Sequence, residues 1–364
     1  MRILLVAHSD APWTPRYARG LIERGHEVRV ISQHPGAVAE VPTVELGPIP
    51  RNAFERIGRV IAAVRAIRRE RARFRPDVVF APFLTTNGVA ATLSGCGPRV
   101  VSARGSDVAS YPGESALRRI LRPYVVRFVT GRASRVHAVS SGLVTDLAAM
   151  GVTLDATDWF CIGVDPERFH PAASAPPLPP RIVSTRKHEP RYDLPTLIHA
   201  LARLKERGIA FEATLAGGGP SLAEHRRLVS ELGLGTRVTL PGALPHAACP
   251  ELLRTATLYV STAPIDGSSS STLEAMATGV LPVLTRIEAN AYWVEDERGG
   301  LLFRPGDADD LARSIRRGLE DHALRAEASR LNRARIEREG SERHNLDLLE
   351  RLLASAAHPD PLRG

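Results

Sequence analysis

The 364-residue sequence predicts two doubly wound α/β domains, each a parallel sheet with helices on both faces. Three observations carry this. Short β-branched runs alternate with helical patterns through the first half of the chain. A proline-rich stretch, "AASAPPLPP" at 172–180, then breaks the pattern, since so many prolines suit neither helix nor sheet. Beyond it the alternation restarts, and the length suits two domains of ordinary size.

In chain order, "RILLVA" reads as the first strand, and Thr14 as the cap of a helix with Pro15 at its first position, ending at Gly25. "HEVRVI" is the second strand. A helix over 51–75 follows, then "DVVFA", a helix over 87–94, "RVVSA", a helix over 115–130, and "RVHAVS". In the second half strands are expected at "RIVST", "FEATLA", "RVTLP", "TLYVS", "VLPVL" and "LLFR", with helices over 194–207, 220–232, 246–255 and 269–278. Three last helical patterns cover 308–320, 323–338 and 342–355. The expected boundaries are a first domain over 1–168, a linker over 169–180, a second domain over 181–340, and a C-terminal helix over 341–364 packing back on the first domain. Doubly wound sheets bind ligands outside the carboxyl ends of their strands, so two such domains are expected to face a cleft.

Composition narrows the function classes. Hydrophobic residues make up 43% and charged residues 24%, an ordinary globular balance that argues against wholesale disorder. No apolar run is long enough to span a membrane, and the N-terminus reads as a buried strand rather than a signal peptide. Cys96, Cys161 and Cys249 are far apart, odd in number and in no metal-ligand spacing, as expected of buried thiols in a reducing cytoplasm. The net charge of +8 rests almost wholly on arginine, with Lys187 and Lys205 the only lysines. Residues 51–75 hold nine arginines against Glu55 and Glu70, a local +7, with apolar residues near helical spacing. That amphipathic basic helix suits peripheral contact with anionic lipid at the inner membrane face. It lacks interleaved aromatics to stack on bases, so nucleic acid is not the expected partner.

The stretch "APIDGSSSSTLEAMATGVLPV", residues 263–283, sets Asp266 eight positions before Glu274 with Gly267 and Ser268 to Ser271 between. A strand leads into it and a serine-capped helix leaves it. Such a turn offers backbone N–H groups and a helix dipole to an anion. Carboxylates would repel a phosphate, so Asp266 and Glu274 are expected to address hydroxyls on either side of it. The pattern suits a nucleotide-sugar. The alternative is a serine-capped helix in which Glu274 is only a helix former.

At this point the sequence resembles glycosyltransferase family 4. Asp266-x7-Glu274 followed by "AMATGVLPV" is similar to that family's E-x7-E signature, and "GHEVRVIS", "RGSDV", "VSSGLVTDL", "FCIGVDPERFHP", "STRKHEPRYDLPTLIHAL", "LAGGGP", "LPGALPH" and "EDERGGLLFRPGD" follow in family order. The resemblance covers nearly the whole chain. It implies the GT-B fold of two Rossmann-like domains and retaining transfer of a hexose from a UDP- or GDP-linked donor to an acceptor hydroxyl, without metal or cofactor. It further implies that Glu274 binds the nucleotide ribose and Asp266 the donor sugar. Arg186 and Arg191 would hold the diphosphate, with Lys187 an adjacent candidate, and Gly217 would lie at the donor. Asp107 and Arg104 in "RGSD", with His8 after the first strand, are the acceptor-side candidates, and Asp107 is also a residue type that forms such turns. The acceptor itself, whether a glycan, a lipid-linked sugar or a small molecule, is not implied. Four departures stand out: aspartate replaces the first glutamate, Arg191 stands at the family's lysine, the glycine pair expected after the first strand is missing from "HSDAPWTPRYARG", and Arg104 replaces the acceptor-loop histidine. Two rivals to transfer are a nucleotide-sugar epimerase of the same fold and an inactive GT-B protein that binds membranes or polyanions.

Overall fold

A computed structural model describes residues 1–105, 107–108, 115–154, 159–172 and 178–358. Ser106 of "RGSD", the middle of the expected linker (173–177) and the last six residues lie outside the described residues. In chain order the elements are β1 (Arg2–Ala7), α1 (Trp13–Glu23), β2 (Glu27–Ser32), β3 (Thr43–Glu45), α2 (Ala53–Phe74), β4 (Val78–Pro82), α3 (Val89–Ser94), β5 (Arg99–Ala103), α4 (Ala116–Thr130), β6 (Arg135–Ala138) and α5 (Ser141–Ala149). There follow β7 (Arg181–Ser184), α6 (Leu194–Glu206), β8 (Glu212–Ala216), α7 (Leu222–Glu231), β9 (Val238–Gly242), α8 (Cys249–Arg254), β10 (Leu258–Ser261), α9 (Ser270–Ala277), β11 (Leu281–Thr285), α10 (Glu288–Trp293), β12 (Leu301–Phe303), α11 (Ala308–Glu320), α12 (His322–Arg335) and α13 (Glu342–Ala357).

The chain forms two compact units, Met1–Ile162 with Asn345–Gly364, and Gly163–His344. The first holds a six-stranded parallel sheet in the order β3-β2-β1-β4-β5-β6. Its strands are near-continuous apolar runs because helices cover both faces. One face packs Leu4, Val6, Val79 and Val101 against α2, α3 and α4; the other packs Ile3, Leu5 and Phe80 against α1 and the C-terminal α13. That helix gives Leu346, Leu349, Leu352, Leu353 and Ala356 to this core, the i, i+3, i+7 stripe that its sequence carries. The second unit repeats the design in the order β12-β11-β10-β7-β8-β9. Its core joins Ile182, Val260 and Val283 to α6 and α11.

Several local readings are corrected. Thr14 does not cap α1: the cap is Pro12, and the Thr14 hydroxyl instead donates to the His8 carbonyl at 2.7 Å from inside the first turn. The helix expected over 87–94 opens with a π turn at Leu84–Gly88 before α3. "RVHAVS" is strand only to Ala138, because the Ser140 hydroxyl accepts the Leu143 N–H and starts α5. The pattern at 246–255 begins as a 3-10 turn over His246–Ala248. That over 323–338 starts at His322 and ends in a π turn at Ile336–Gly340.

Candidate functional site

In both sheets the strand order reverses at one point, between β1 and β4 in the first unit and between β7 and β10 in the second. At such a switch point the crossovers leave to opposite faces and open a crevice at the carboxyl ends of the strands. Both groups of candidate residues lie at these crevices, each within its own unit.

In the second unit Arg186 lies two residues beyond β7 and Asp266 in the loop after β10. An Arg186 Nη donates to Asp266 Oδ2 at 2.6 Å, while the other Nη reaches the Ser269 hydroxyl and, at 3.1 Å, that of Ser271. Ser269 also caps α9 by accepting the Thr272 N–H, so the guanidinium is fastened to the first turn of that helix. Burial works against the Arg186 charge, but Asp266 beside it more than offsets this and raises the arginine pKa. Arg186 stacks on the Tyr192 ring at 4.2 Å, and Arg191 lies over the same ring at 4.8 Å. Arg191 pairs with Glu189 at 2.8 Å, and the exposed Lys187 ammonium lies 4.0 Å from that same carboxylate. Arg186, Arg191 and Lys187 are therefore neighbours, with Arg186 already matched to a carboxylate and the other two half-exposed or exposed.

Glu274, one turn into α9, is buried, and its Oε1 lies 2.8 Å from His246 Nε2. His246 is the neighbour that residue patterns missed; "LPH" stands in one of the motifs, but nothing local says that its ring meets a carboxylate 28 residues on. Its place is set by the 3-10 turn before α8 and by Arg168, which donates to its carbonyl at 2.8 Å. Tyr192 was missed for the same reason. Of the remaining serines, Ser268 receives the Trp293 indole N–H at 3.4 Å, and the Gly267 N–H donates to Asp266 Oδ1 at 2.9 Å. Gly217 follows β8, where its missing side chain matters: a Cβ there would collide with the Arg186 carbonyl oxygen. Gly219, at φ +151°, lies equally close to the His188 carbonyl.

In the first unit Asp107 is buried with both oxygens committed: Oδ1 accepts the Arg104 and Gly105 N–H groups at 2.9 Å each, and Oδ2 the Leu84 N–H at 2.8 Å. Burial pushes its carboxyl up from the usual range, against the pull of those donors. The geometry makes Asp107 the pin that joins the loop after β5 to the turn after β4. The Arg104 guanidinium lies over the rings of Trp13 and Tyr17, at 4.5 and 5.1 Å, and all three of its nitrogens are buried without a hydrogen-bond partner among the described residues. His8, at the end of β1, stacks on His34 with ring centroids 4.0 Å apart, and His34 in turn holds Asp10 at 2.9 Å. Burial, with the neighbouring His34, lowers the His8 pKa to about 4, so its ring is neutral at pH 7. Its Nδ1 is buried without a hydrogen-bond partner among the described residues. Among the described residues no group of three or more His, Cys, Asp or Glu is placed to hold a metal ion.

Two such units, with carboxylates and an arginine gathered at the switch point of the second, define a glycosyltransferase fold of the GT-B type. Residues 16–168 match Glycosyltransferase Family 4, and residues 167–335 match Glycosyl transferases group 1, so that the two matches together run through most of the chain and support a GT4-type family. Among curated relatives it is 27% identical over 259 residues to a 2-deoxystreptamine glucosyltransferase of Streptomyces kanamyceticus, covering 66% of each chain. It is 24% identical over 330 residues to a sulfoquinovosyl transferase of Arabidopsis thaliana, covering 85% of this chain and 63% of that one. The chain thus spans just under two thirds of the length of these relatives. Among solved structures, sucrose-phosphate synthase from Thermosynechococcus elongatus superposes with a TM-score of 0.83 at 21% identity, over 98% of this chain and all of that one. The Anabaena protein HepE, solved with UDP and glucose, superposes at 0.78 and 20% identity over 98% of this chain and all of that one.

Proposed function

We propose that the protein transfers a hexose from a nucleoside-diphosphate sugar to an acceptor hydroxyl with retention of anomeric configuration. The observation that carries this reading is the segment at α9, where a buried carboxylate (Glu274), an arginine-bound carboxylate (Asp266) and a serine-capped helix start follow one another at the switch point of the second sheet. A ribose diol matches Glu274 as a bidentate acceptor, sugar hydroxyls match Asp266, and a diphosphate matches the first-turn amides with Lys187 and Arg191. Similarity to a protein solved with UDP and glucose supports a uridine-linked donor.

In the reaction the bond between the anomeric carbon and the diphosphate oxygen breaks, and its electron pair leaves with the diphosphate. A bond to the acceptor oxygen forms on the same face, and the hydroxyl proton departs on the released diphosphate. Charge grows on the leaving group as the bond opens, so fixed cations and helix amides favour the transition state over the bound donor. Lys187, Arg191 and the α9 amides supply that charge without a divalent ion, so turnover is expected to persist in EDTA. Asp107 orders the acceptor loop rather than taking the proton. The basic α2 adds peripheral contact with anionic lipid, and no helix among the described residues is long and apolar enough to cross a membrane. The test is calorimetric titration with UDP, followed by proton NMR of the product from a UDP-hexose. Lack of UDP binding, or an inverted linkage, would overturn the reading.

A further inference from the structure

One feature of the first unit has no part in donor binding. A cavity of about 680 Å³ opens at its switch-point crevice, with His8 and Asp107 on its floor and α2 and α4 as opposite walls. Arg56 and Val60 line one wall, Arg118 and Leu121 the other. At this mouth and outside it both helices carry exposed apolar side chains that the core does not take. On α2, Phe54 is 86% and Ile57 60% exposed, and Ile61 continues their stripe at i+7. On α4, Leu117, Ile120, Leu121 and Tyr124 stand at i, i+3, i+4 and i+7, with Ile120 61% and Tyr124 65% exposed. The opposite stripe of α2, with Ala63, Ala66, Ile67 and Phe74, is buried in the sheet. The helix is therefore apolar along two lines, and its fold uses only one. Exposed apolar side chains are common singly, but two helical stripes on either side of one cavity make a binding surface.

The charges around it say what kind of surface. Arg56 and Arg118 line the mouth and make no ion pair among the described residues, and α2 continues with Arg65, Arg69 and Arg73 outward. Aliphatic and aromatic groups beside unmatched arginines suit the interface of an anionic bilayer, which takes the apolar groups among its chains and the guanidinium groups among its headgroups. A water-soluble anionic sugar would use the arginines and leave Phe54, Ile120 and Tyr124 in water.

We propose that the acceptor is an anionic amphiphile drawn from a bilayer on which α2 and α4 rest. Its charged head enters the cavity between Arg56 and Arg118, its hydroxyl lies at the floor near His8, and its chains remain among Phe54, Ile57, Ile120 and Tyr124. This rests on the transferase reading above and names the acceptor class for it.

The test floats the full chain with vesicles of three parts phosphatidylcholine to one part phosphatidylglycerol, and with pure phosphatidylcholine, at low and high salt. UDP affinity is measured on the same preparations. The expected result is flotation with the anionic vesicles at low salt, weakened about tenfold or more by high salt or by the neutral lipid. The doubles Ile120→Ser/Tyr124→Ser and Arg56→Glu/Arg118→Glu should each lose about tenfold or more in vesicle affinity with UDP affinity unchanged. Should a double fail to fold by circular dichroism, the single changes at the exposed Ile120 and Arg118 take its place. UDP binding without flotation, equal flotation with neutral lipid, or flotation untouched in both doubles would overturn this inference and leave the transferase reading standing. Release of the protein from vesicles by millimolar inorganic phosphate would identify a free anion as the ligand, and would overturn it too. Flotation without UDP binding would remove the transferase reading and, with it, the acceptor role.

Discussion

In the second unit the charged side chains at the switch point have partners among the described residues: Arg186 lies against Asp266, Arg191 and Lys187 share Glu189, and Glu274 is hydrogen-bonded to His246. In the first, the Arg104 guanidinium and the His8 Nδ1 are buried with no hydrogen-bond partner among the described residues, and the neighbouring cavity mixes arginines, histidines and threonines with aliphatic side chains. The physical lesson concerns what holds each site in shape. A paired site is rigid before its ligand arrives, and its members depend on each other; a buried cation without an acceptor is held by packing and ring faces, and its removal leaves nothing stranded.

The sharpest way to break this contrast is Arg186→Ala. It would strand a carboxylate at Asp266, so we expect a loss of stability of about 3–5 kcal/mol by denaturant unfolding, as for other broken buried pairs. Transfer should fall by roughly two to three orders of magnitude, since α9's first turn loses its fastening. Normal stability and turnover in this variant would show that the pairing is incidental.

The next effect is a pH dependence in the first unit. His8 has a folded pKa of about 4 against an ordinary 6.5, so the unfolded chain binds its proton more readily. Stability owed to this group is complete above about pH 6.5 and is lost as pH falls towards 4, amounting to at most about 3 kcal/mol. His8→Gln should flatten the wild-type decline over that window, and an unchanged slope would remove His8 as its source.

Glu274→Gln should weaken UDP by about 1.5–3 kcal/mol in a folded protein, because a charged acceptor for the ribose diol is lost. His246→Ala should reproduce part of that loss, and His246→Gln, which keeps a donor, should recover it. UDP affinity unchanged in Glu274→Gln would place the nucleotide elsewhere. The smallest effect is expected at Arg104→Met. Since no acceptor is stranded, only the stacking on Trp13 and Tyr17 is lost, about 0.5–2 kcal/mol. A cost as large as that at Arg186 would mean that the two sites are not different after all.

The parts of the molecule that were legible in the sequence are those whose physics is local. α11 reads from 308 to 320 in the sequence and in the structure because Asp307 accepts the Asp310 N–H and an apolar stripe runs its whole length. The parallel sheets were legible because buried strands are continuous apolar runs. The edge strand β3 escaped because three residues, two of them exposed, have no period to detect, and α10 because six residues make fewer than two turns. At the site, Asp266 and Glu274 were found from their spacing on one strand–loop–helix. Their partners, Arg186 and His246, stand 80 and 28 residues away, and such pairings are fixed only when separate strands come to lie side by side. The exposed stripe of α2 was read as part of an amphipathic helix, but the sequence pattern did not say that α4 carries a matching one.

The bridge between Val164 and Ser341 has a consequence for how this chain can be taken apart. Val164 donates its N–H to Gly340 and accepts that of Glu342, at 2.8 Å each, beside Gly163, where any Cβ would strike the Glu342 backbone. The second unit thus begins and ends at the same spot, as a cassette spliced into the first. Segments whose ends meet can be excised, circularised or exchanged with little strain on what remains. A gene fragment for 163–344 should yield a module that folds on its own, UDP titration of it would test whether the proposed donor site is complete there, and a relative's module could be grafted at these two points while leaving the first unit as it is.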